Sequence, residues 1–209
     1  FSFFCLENIL EIVSIFETRE GSRRVDAMSE MNIPGWSGIS PYEIMGNSTR
    51  RLEKEWMLLT SGNPAEGAAT MTINWGMFGF LWNRPAVFVA VRKSRHTLPF
   101  IERNKSFSLG VFAESYKDKL LFCGRNSGRD VDKISHCGFS TLFAGEIPFF
   151  AEAESVLLCR VAYSGNIIED EFIDRSVYAD WYSHGVHAGD MHTFFIASVT
   201  GALKKERND

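Results

Sequence analysis

The sequence predicts a mainly β protein with inserted helices, whose antiparallel strands form a small closed or split barrel. Segments of strand length recur along the chain, they do not alternate strictly with helices, and no G-x-G-x-x-G sequence follows any of them. These features disfavour a parallel nucleotide-binding sheet and suit a barrel, which protects its edge strands by wrapping. The 209 residues suffice for one domain with a single core. The net charge of -4 gives no electrostatic reason to expect a nucleic-acid partner.

The strands are predicted from apolar runs that end at turn residues. A short run at 56–60 ends at a Ser-Gly-Asn-Pro turn, and longer runs at 68–75 and 86–92 are joined by a turn rich in Gly and Trp. Residues 107–112 alternate between apolar and small or polar side chains, as a strand does. The acidic segment 168–190 is predicted to be irregular. Further strands are predicted at 141–143, 155–163 and 193–204.

The helices are predicted from capping residues and from periodicity. Ser94 and Thr97 are N-cap residue types, and Pro99 suits a first helical turn, so a helix is expected to follow them. Ser127 and Gly128 are expected to cap a later, short helix. The predicted helices are 98–103, 116–123 and 130–137.

The first 50 residues are predicted to be an N-terminal extension and lead-in, followed by one domain at 51–209. Apolar residues between Leu6 and Phe16 have helical spacing, but acidic residues interrupt this segment and it is too short to cross a bilayer. We therefore expect no membrane partner and a cytoplasmic location, and we expect residues before Met28 to be dispensable for function. The four cysteines lie far apart with no C-x-x-C pair, so we expect reduced thiols and no zinc site.

Residues 70–97 concentrate side chains that suit a flat ring carrying a phosphate. Because side chains alternate along a strand, the hydroxyls and the amide of the first strand share one face. Cations next to a helix start favour a phosphate, since free backbone N–H groups and the helix dipole attract anions. A purely structural interpretation stays open. In it the hydroxyls form cross-strand pairs, the indole packs in the core, and the cations are solvated at the end of the strand. The residues are Thr70, Thr72, Asn74 and Trp75 on the first strand, and Arg92, Lys93 and Arg95 after the second.

Three separated sequence blocks carry a resemblance to a known family. The block from Met71 to Thr97 fits M-T-x-S/N-W-G-x-x-G-x-L-W, an apolar strand and V-R-x-x-R-Y-T, with His96 in place of the tyrosine. The block from Cys123 to Lys133 matches C-G-x-x-S-G-R-D-x-D-K, and residues 189–192 resemble G-D-Y-H. Taken in this order, the blocks resemble the flavin reductase-like, FMN-binding split-barrel family, particularly its flavoredoxin-type members.

The resemblance implies an antiparallel Greek-key split β-barrel that binds FMN. It implies that the first strand of the motif borders the flavin ring, and that Arg92, Arg95 and Thr97 lie near the phosphate. No metal ligand is expected. The expected cofactor-binding residues are Thr70, Met71, Thr72, Asn74, Trp75, Arg92, Arg95, His96, Thr97, Cys123, Lys133 and His192.

Several of these residues have a second interpretation. His96 either covers the flavin or lies exposed at the start of the helix. Lys133 either serves the flavin, by stabilising the reduced ring or binding phosphate, or forms an i,i+3 ion pair with Asp130. Cys123 either lies against the cofactor or packs as a small hydrophobic residue. His192 is expected on the cofactor side because it ends the G-D-x-H block.

The implied function is an FMN-dependent oxidoreductase that passes electrons from NADH or NADPH through FMN to an acceptor. Hydride transfer is the cofactor's own chemistry, so no catalytic side chain is expected. The alternative is an FMN-binding electron carrier that a redox protein partner reduces, without efficient NAD(P)H turnover. A homodimer with flavin near the interface is expected from the resemblance, and because Phe78, Phe80 and Trp82 exceed what so short a segment would bury.

Overall fold

A computed structural model of the chain describes residues 33–206. The amphipathic helix expected between Leu6 and Phe16 lies outside these residues. Antiparallel strands are the commonest secondary structure in the described chain and helices are inserted between them, which confirms the predicted fold class. No helix within residues 33–206 has the length and apolar character that crossing a membrane would require.

The elements have the following bounds. The strands are β1 (Trp36–Gly38), β2 (Met57–Asn63), β3 (Gly67–Ile73), β4 (Gly76–Leu81), β5 (Arg84–Arg92), β6 (Ser106–Val111), β7 (Thr141–Ala144), β8 (Ile147–Phe150), β9 (Ser155–Asn166) and β10 (His192–Lys205). The α-helices are α1 (Pro41–Met45), α2 (Ser48–Arg50), α3 (Leu98–Asn104), α4 (Lys117–Arg125), α5 (Lys133–Cys137) and α6 (Arg175–Tyr182). A π-helical turn at Arg51–Glu55 leads into β2.

The main sheet has the strand order β3-β2-β6-β9-β10-β5-β4, and β1 pairs with the far end of β10. Each of its pairings is antiparallel. Within the described residues, the edge strands β3 and β4 do not pair with each other, although they are consecutive in the chain. The barrel is therefore split at this edge, as expected, and the split brings the end of β3 near the end of β5.

The core lies inside the curved sheet and is built from alternate strand residues. On β5, for example, Val87, Val89 and Val91 are buried in one core cluster. Fully burying a side chain of this kind contributes about 1.5–3 kcal/mol, and a one-residue shift in register would turn these side chains outward. Leu98 and Ile101 of α3 close one end of the cluster.

The segment predicted as a Gly/Trp-rich turn contains an additional strand, β4. The turn itself is only Trp82 and Asn83, whose φ angles of 52° and 57° give the type I′ geometry that suits a two-residue hairpin. Strand β4 lies at the sheet edge and leaves Met77 and Phe80 exposed. Its side chains therefore lack the alternation that marks a half-buried strand, which is why the prediction missed it.

Three other predictions were wrong in detail. Strand β8 was missed because its four residues form one continuous buried run without alternation. Helix α6 was missed because Tyr182 is its one buried residue, so the segment predicted as irregular shows no apolar stripe facing a core. The N-cap of α5 is Asp132, whose carboxylate accepts from two backbone N–H groups at 3.1 Å. Ser127 and Gly128 lie outside that helix.

Truncation tests where the folded unit begins. Residues 33–50 supply β1 and α1, which bury Trp36, Ile44 and Met45. A chain that starts at Met28 is expected to keep the thermal midpoint of the full chain. A chain that starts at Arg51 should melt well below it, because each buried side chain removed contributes about 1.5–3 kcal/mol. Equal midpoints for the two shortened chains in differential scanning calorimetry would contradict this expectation.

Candidate functional site

Two adjoining cavities lie where the ends of β3 and β5 meet the start of β10. The first, here the cationic cavity, has a volume of about 260 Å³. The second, here the indole cavity, has a volume of about 270 Å³. Arg95 and His187 line both. The cationic cavity is also lined by Ser94, His96, Thr97, Arg125, Asn126, Ser127, Gly128, Arg129 and Lys133. The indole cavity is also lined by Met71, Thr72, Ile73, Asn74, Trp75, Ala90, Arg92, Trp181 and His192.

Helix α4 is held against β3, which joins the walls of the two cavities. A Cβ added at Gly124 would lie 3.3 Å from Cβ of Thr72, so a side chain at that position would crowd the contact. The Thr72 hydroxyl donates to the carbonyl of Leu120. This contact fixes the end of α4, and the loop that follows it carries Arg129 and leads to Lys133 at the start of α5.

Three cations of the cationic cavity contact backbone carbonyls. Arg95 Nη1 donates to the Gly124 carbonyl at 2.6 Å, Lys133 Nζ to Cys123 at 3.0 Å, and Arg129 Nη1 to Ser94 at 2.5 Å. No aspartate or glutamate lines this cavity in the part of the chain that the structure describes. The cavity lining therefore carries positive charge, which the Asp190 carboxylate outside the lining offsets only in part at Arg95.

Burial makes two of these cations costly to keep charged. Burial lowers the pKa of Lys133 to about 8. Cys123 acts to raise this pKa, and the charge of the nearby Arg95 acts to lower it further. Burial likewise lowers the pKa of Arg95, with Arg92 as the second cause. Lys133 is only 6% exposed, so the ion pair with Asp130 that the sequence left open is not the contact it makes. An anion bound in this cavity would stabilise the charged forms of both Lys133 and Arg95.

The loop after α4 closes over His96. A Cβ at Gly128 would lie 2.6 Å from His96 Nδ1, so glycine is needed for this approach. His96 is half-buried and packs edge-on against Phe100, with ring centroids 5.3 Å apart. Thr97 is buried at the N-cap of α3, although its hydroxyl makes no capping bond. His96 is therefore part of the cavity wall rather than an exposed residue.

The indole cavity is built around Trp75. Its ring lies 5.0 Å from the ring of Trp181 in an edge-to-face arrangement and 5.0 Å from the ring of His192. Arg92 lies over both Trp75 and Tyr182, at 5.7 Å and 5.3 Å from the ring centroids. Trp75 lies two residues beyond the end of β3, so the alternation of that strand does not turn its ring away from the threonine side.

Arg92 anchors the chain between α6 and β10. Its Nη1 donates to the Asp190 carbonyl at 2.7 Å, and it lines the indole cavity and not the cationic one. The carboxylate of Asp190 accepts from the backbone N–H and the hydroxyl of Ser94, at 3.0 Å and 2.6 Å. The guanidinium of Arg92 contacts backbone carbonyls and aromatic faces, and its expected position beside a phosphate stays a prediction.

Two of the expected cofactor-binding residues line neither cavity. The Thr70 hydroxyl lies 3.0 Å from that of Thr60 and donates to a backbone carbonyl, so it is a buried cross-strand pair. The Cys123 thiol lies 3.8 Å from the thiol of Cys137. Burial, and then Cys137, raises the pKa of Cys123 to about 12. Cys123 contributes only its carbonyl, which fixes Lys133.

The remaining expected residues separate into two groups. Met71, Thr72, Asn74, Trp75, Arg92 and His192 line the indole cavity, while His96, Thr97 and Lys133 line the cationic one, and Arg95 lines both. The sequence did not point to Trp181, Tyr182 or His187 as cofactor-side residues, and all three come from the segment predicted as irregular. Aromatic residues at helical spacing in that segment were the available signal. Within residues 33–206, no group of three His, Cys, Asp or Glu side chains is arranged to hold a metal ion.

Comparisons with known structures show which fold the chain shares. Flavoredoxin from Methanosarcina acetivorans has a TM-score of 0.55 and 24% identity, over 74% of this chain and 69% of that one. The FMN-binding domain of a flavin reductases-like enzyme from Shewanella baltica has a TM-score of 0.54 and 20% identity, over 81% and 77%. Flavoredoxin of Desulfovibrio vulgaris has a TM-score of 0.54 and 16% identity, over 73% and 69%. These likenesses show a shared split-barrel fold. No curated protein matches the chain.

The family follows from the sequence match. The protein-family model described as the flavin reductase like domain matches residues 49–209 of the sequence. This range contains β2 to β10 and both cavities. The chain belongs to the flavin reductase like domain family.

Proposed function

We propose that the chain binds FMN across its two cavities and passes electrons from NADH or NADPH through the flavin to an acceptor. The observation that carries this proposal is the pairing of the two cavities. One is cationic with no carboxylate in its described lining, and the other is walled by indoles. A phosphate-bearing flat ring needs both kinds of surface, and Arg95 and His187 are common to the two walls.

The cationic cavity would hold the phosphate. Arg95 and Lys133 are partly or fully buried cations that keep free hydrogen-bond donors, because each makes one bond to a carbonyl. Charge-assisted bonds to a phosphate are stronger than bonds between neutral groups. Gly128 keeps the cavity open at a point where a Cβ would press on His96. Arg95, His96, Thr97 and Lys133 are the proposed phosphate-side residues.

The indole cavity would hold the ring. Thr72 and Asn74 supply polar groups at the end of β3, and Trp75 supplies an apolar wall. Trp181 is 52% exposed, so the mouth of this cavity faces solvent and leaves room for a nicotinamide. Bound FMN would supply the hydride chemistry, and the residues of the chain would bind the flavin and orient it.

Purified protein with FMN tests this function. We expect about one FMN per chain, and bleaching of the flavin absorbance when NADH or NADPH is added without oxygen. Bleaching by dithionite with no reaction to either nicotinamide would instead favour the electron carrier that a redox protein reduces. A chain that takes up no FMN at micromolar concentration would contradict the proposal.

A homodimer is proposed on the outer face of the sheet. Met77, Phe88, Ile196 and Tyr163 form one cross-strand row over four strands. The two ends of the row are exposed to solvent, Met77 by 62% and Tyr163 by 54%. A contiguous apolar surface of this kind commonly marks an association site. The row begins two residues after Trp75, so such an interface would lie beside the indole cavity.

Substitution in this row tests the dimer. Met77→Lys is expected to shift the protein from dimer to monomer, because it places a charge in the apolar row. Tyr42→Lys, at an equally exposed position on α1, should leave the dimer intact. Sedimentation velocity at several concentrations gives the measurement. A wild-type monomer with FMN bound would overturn the proposed dimer.

A further inference from the structure

His192 presents one ring nitrogen to the indole cavity and bonds the other within the protein. Its Nδ1 lies 2.8 Å from the hydroxyl of Tyr182. His192 is 5% exposed and Tyr182 is 3% exposed. No hydrogen bond from Nε2 of His192 exists in the described residues, yet these residues contain no fully buried side-chain polar atom without a partner. Nε2 therefore reaches the cavity that His192 lines.

The hydrogen-bond pattern indicates where the protons lie. The Tyr182 hydroxyl has no other acceptor in the described part of the chain, so we assign it as the donor to Nδ1 of His192. The imidazole then carries its own proton on Nε2, facing the cavity. The charged or titratable groups around the ring are Arg92, Arg95, His187 and Asp190. Burial, and then Arg92, lowers the pKa of His192 to about 4, so the ring is neutral at neutral pH.

We propose that Tyr182 and His192 form a proton relay for a substrate that carries a carbonyl conjugated to a carbon–carbon double bond. This proposal rests on the proposed function, because the reduced flavin must supply the hydride. The Nε2–H of His192 binds the carbonyl oxygen in the indole cavity. Tyr182 touches no substrate and acts through His192, so it is a positioning and proton-supplying residue.

The step balances in atoms and charge. The hydride forms a new C–H bond at the β-carbon of the substrate, the double bond shifts, and the oxygen becomes an enolate. His192 gives its Nε2 proton to that oxygen, and Tyr182 gives its hydroxyl proton to Nδ1. The product is an enol, which converts to the saturated ketone. The Tyr182 phenolate then recovers its proton from Nδ1 of His192 while Nε2 takes one from solvent through the cavity, and the flavin leaves the step oxidised.

The surroundings of His192 suit a neutral imidazole that relays a proton better than a protonated imidazole that acts as an acid. A neutral imidazole that gains one proton as it loses another never becomes a cation, so the low pKa does not oppose the transfer. Burial raises the pKa of Tyr182, and Arg92, which lies 5.3 Å from the Tyr182 ring, acts against this shift. One-electron acceptors need no proton from the protein. A buried donor pair that faces the cavity suits a substrate that must be protonated there.

Rates of flavin reoxidation test the substrate class. FMN-loaded protein is reduced with dithionite, freed of excess reagent, and mixed without oxygen with cyclopentenone or with ferricyanide. The ratio of the enone rate to the ferricyanide rate is expected to fall about 100-fold in Tyr182→Phe, at the low end of general acid catalysis. Tyr178→Phe, one turn earlier on α6, is the matched control and should keep the wild-type ratio. Equal slowing of both acceptors, or a wild-type protein that ferricyanide but not the enone reoxidises, would overturn the relay.

The tautomer of His192 is a readout that needs no flavin. Nitrogen-15 NMR of the wild-type apoprotein should show the proton on Nε2, and Tyr182→Phe should show a mixture of tautomers. A proton on Nδ1 in the wild type would overturn the relay. Failure to take up FMN, with the expected tautomer present, would identify the proposed function as the part that fails and would remove the relay's hydride source with it.

Discussion

Replacing Arg95 with alanine is expected to weaken FMN binding by one to two orders of magnitude and to weaken riboflavin binding far less. Arg95 lines the cationic cavity, where burial and Arg92 lower its pKa. A phosphate would supply the missing countercharge. A charge-assisted hydrogen bond contributes roughly 1.5–3 kcal/mol, and about 1.4 kcal/mol corresponds to a tenfold change in affinity. Riboflavin lacks the phosphate, so it does not report this contact. Fluorescence titration with both ligands gives the measurement.

Two further arginines separate a phosphate contact from damage to the fold. Arg103 pairs with Glu66 at 2.9 Å and lines neither cavity, so Arg103→Ala should leave both affinities unchanged. Arg92 holds the Asp190 carbonyl at 2.7 Å and shapes the ring side of the site. Arg92→Ala should therefore weaken FMN and riboflavin by similar factors. If Arg95→Ala weakened FMN and riboflavin equally, Arg95 would act on the fold of the site and would make no contact specific to the phosphate.

The sequence predicted the inner strands well because burial enforces their pattern. Val87, Val89 and Val91 face the core at every second position, and that periodicity is visible without a structure. The helix after Thr97 was predicted because Pro99 and the capping residue types are local signals. By contrast, β4 has one neighbour and exposed side chains, and α6 buries only Tyr182. Elements that contribute little to a core leave little periodicity in the sequence.

Site residues that lie close together in the sequence were predictable, and those that depend on long-range contacts were not. The motif after β5 placed Arg95, His96 and Thr97 together in one turn, so their common cavity follows from local sequence. Arg92, three residues earlier, looks equivalent in the sequence. Its side chain instead points to residues about 90–98 positions later, and this long-range contact has no local signal. Trp181 was missed for the same reason, because its contact with Trp75 joins two distant segments.

The affinity for FMN is expected to fall as the pH rises above about 8, and Lys133 is the cause. Lys133 is buried in the cationic cavity with its Nζ 3.0 Å from the Cys123 carbonyl. Burial lowers its pKa from 10.5 to about 8. An anionic phosphate binds the protonated amine better, so the free protein must take up a proton to bind FMN above that pH. Affinity linked to one proton falls about tenfold per pH unit beyond the pKa of the free protein.

The variant Lys133→Met separates this effect from the other cations. It keeps much of the stem volume and removes the titrating group, so its FMN affinity should be lower at pH 7 and flat from pH 7 to 9. Lys119→Met, a lysine that lines neither cavity, should keep the wild-type profile. The free energy of unfolding changes with pH in the opposite direction to the FMN affinity. Between pH 8 and 10.5 the unfolded chain binds more protons at Lys133 than the folded chain does. The contribution of Lys133 to stability therefore rises with pH. The Lys133→Met apoprotein, which buries no such charge, should melt no lower than wild type at pH 7. A wild-type affinity that stays constant from pH 7 to 9 would remove Lys133 from the phosphate site.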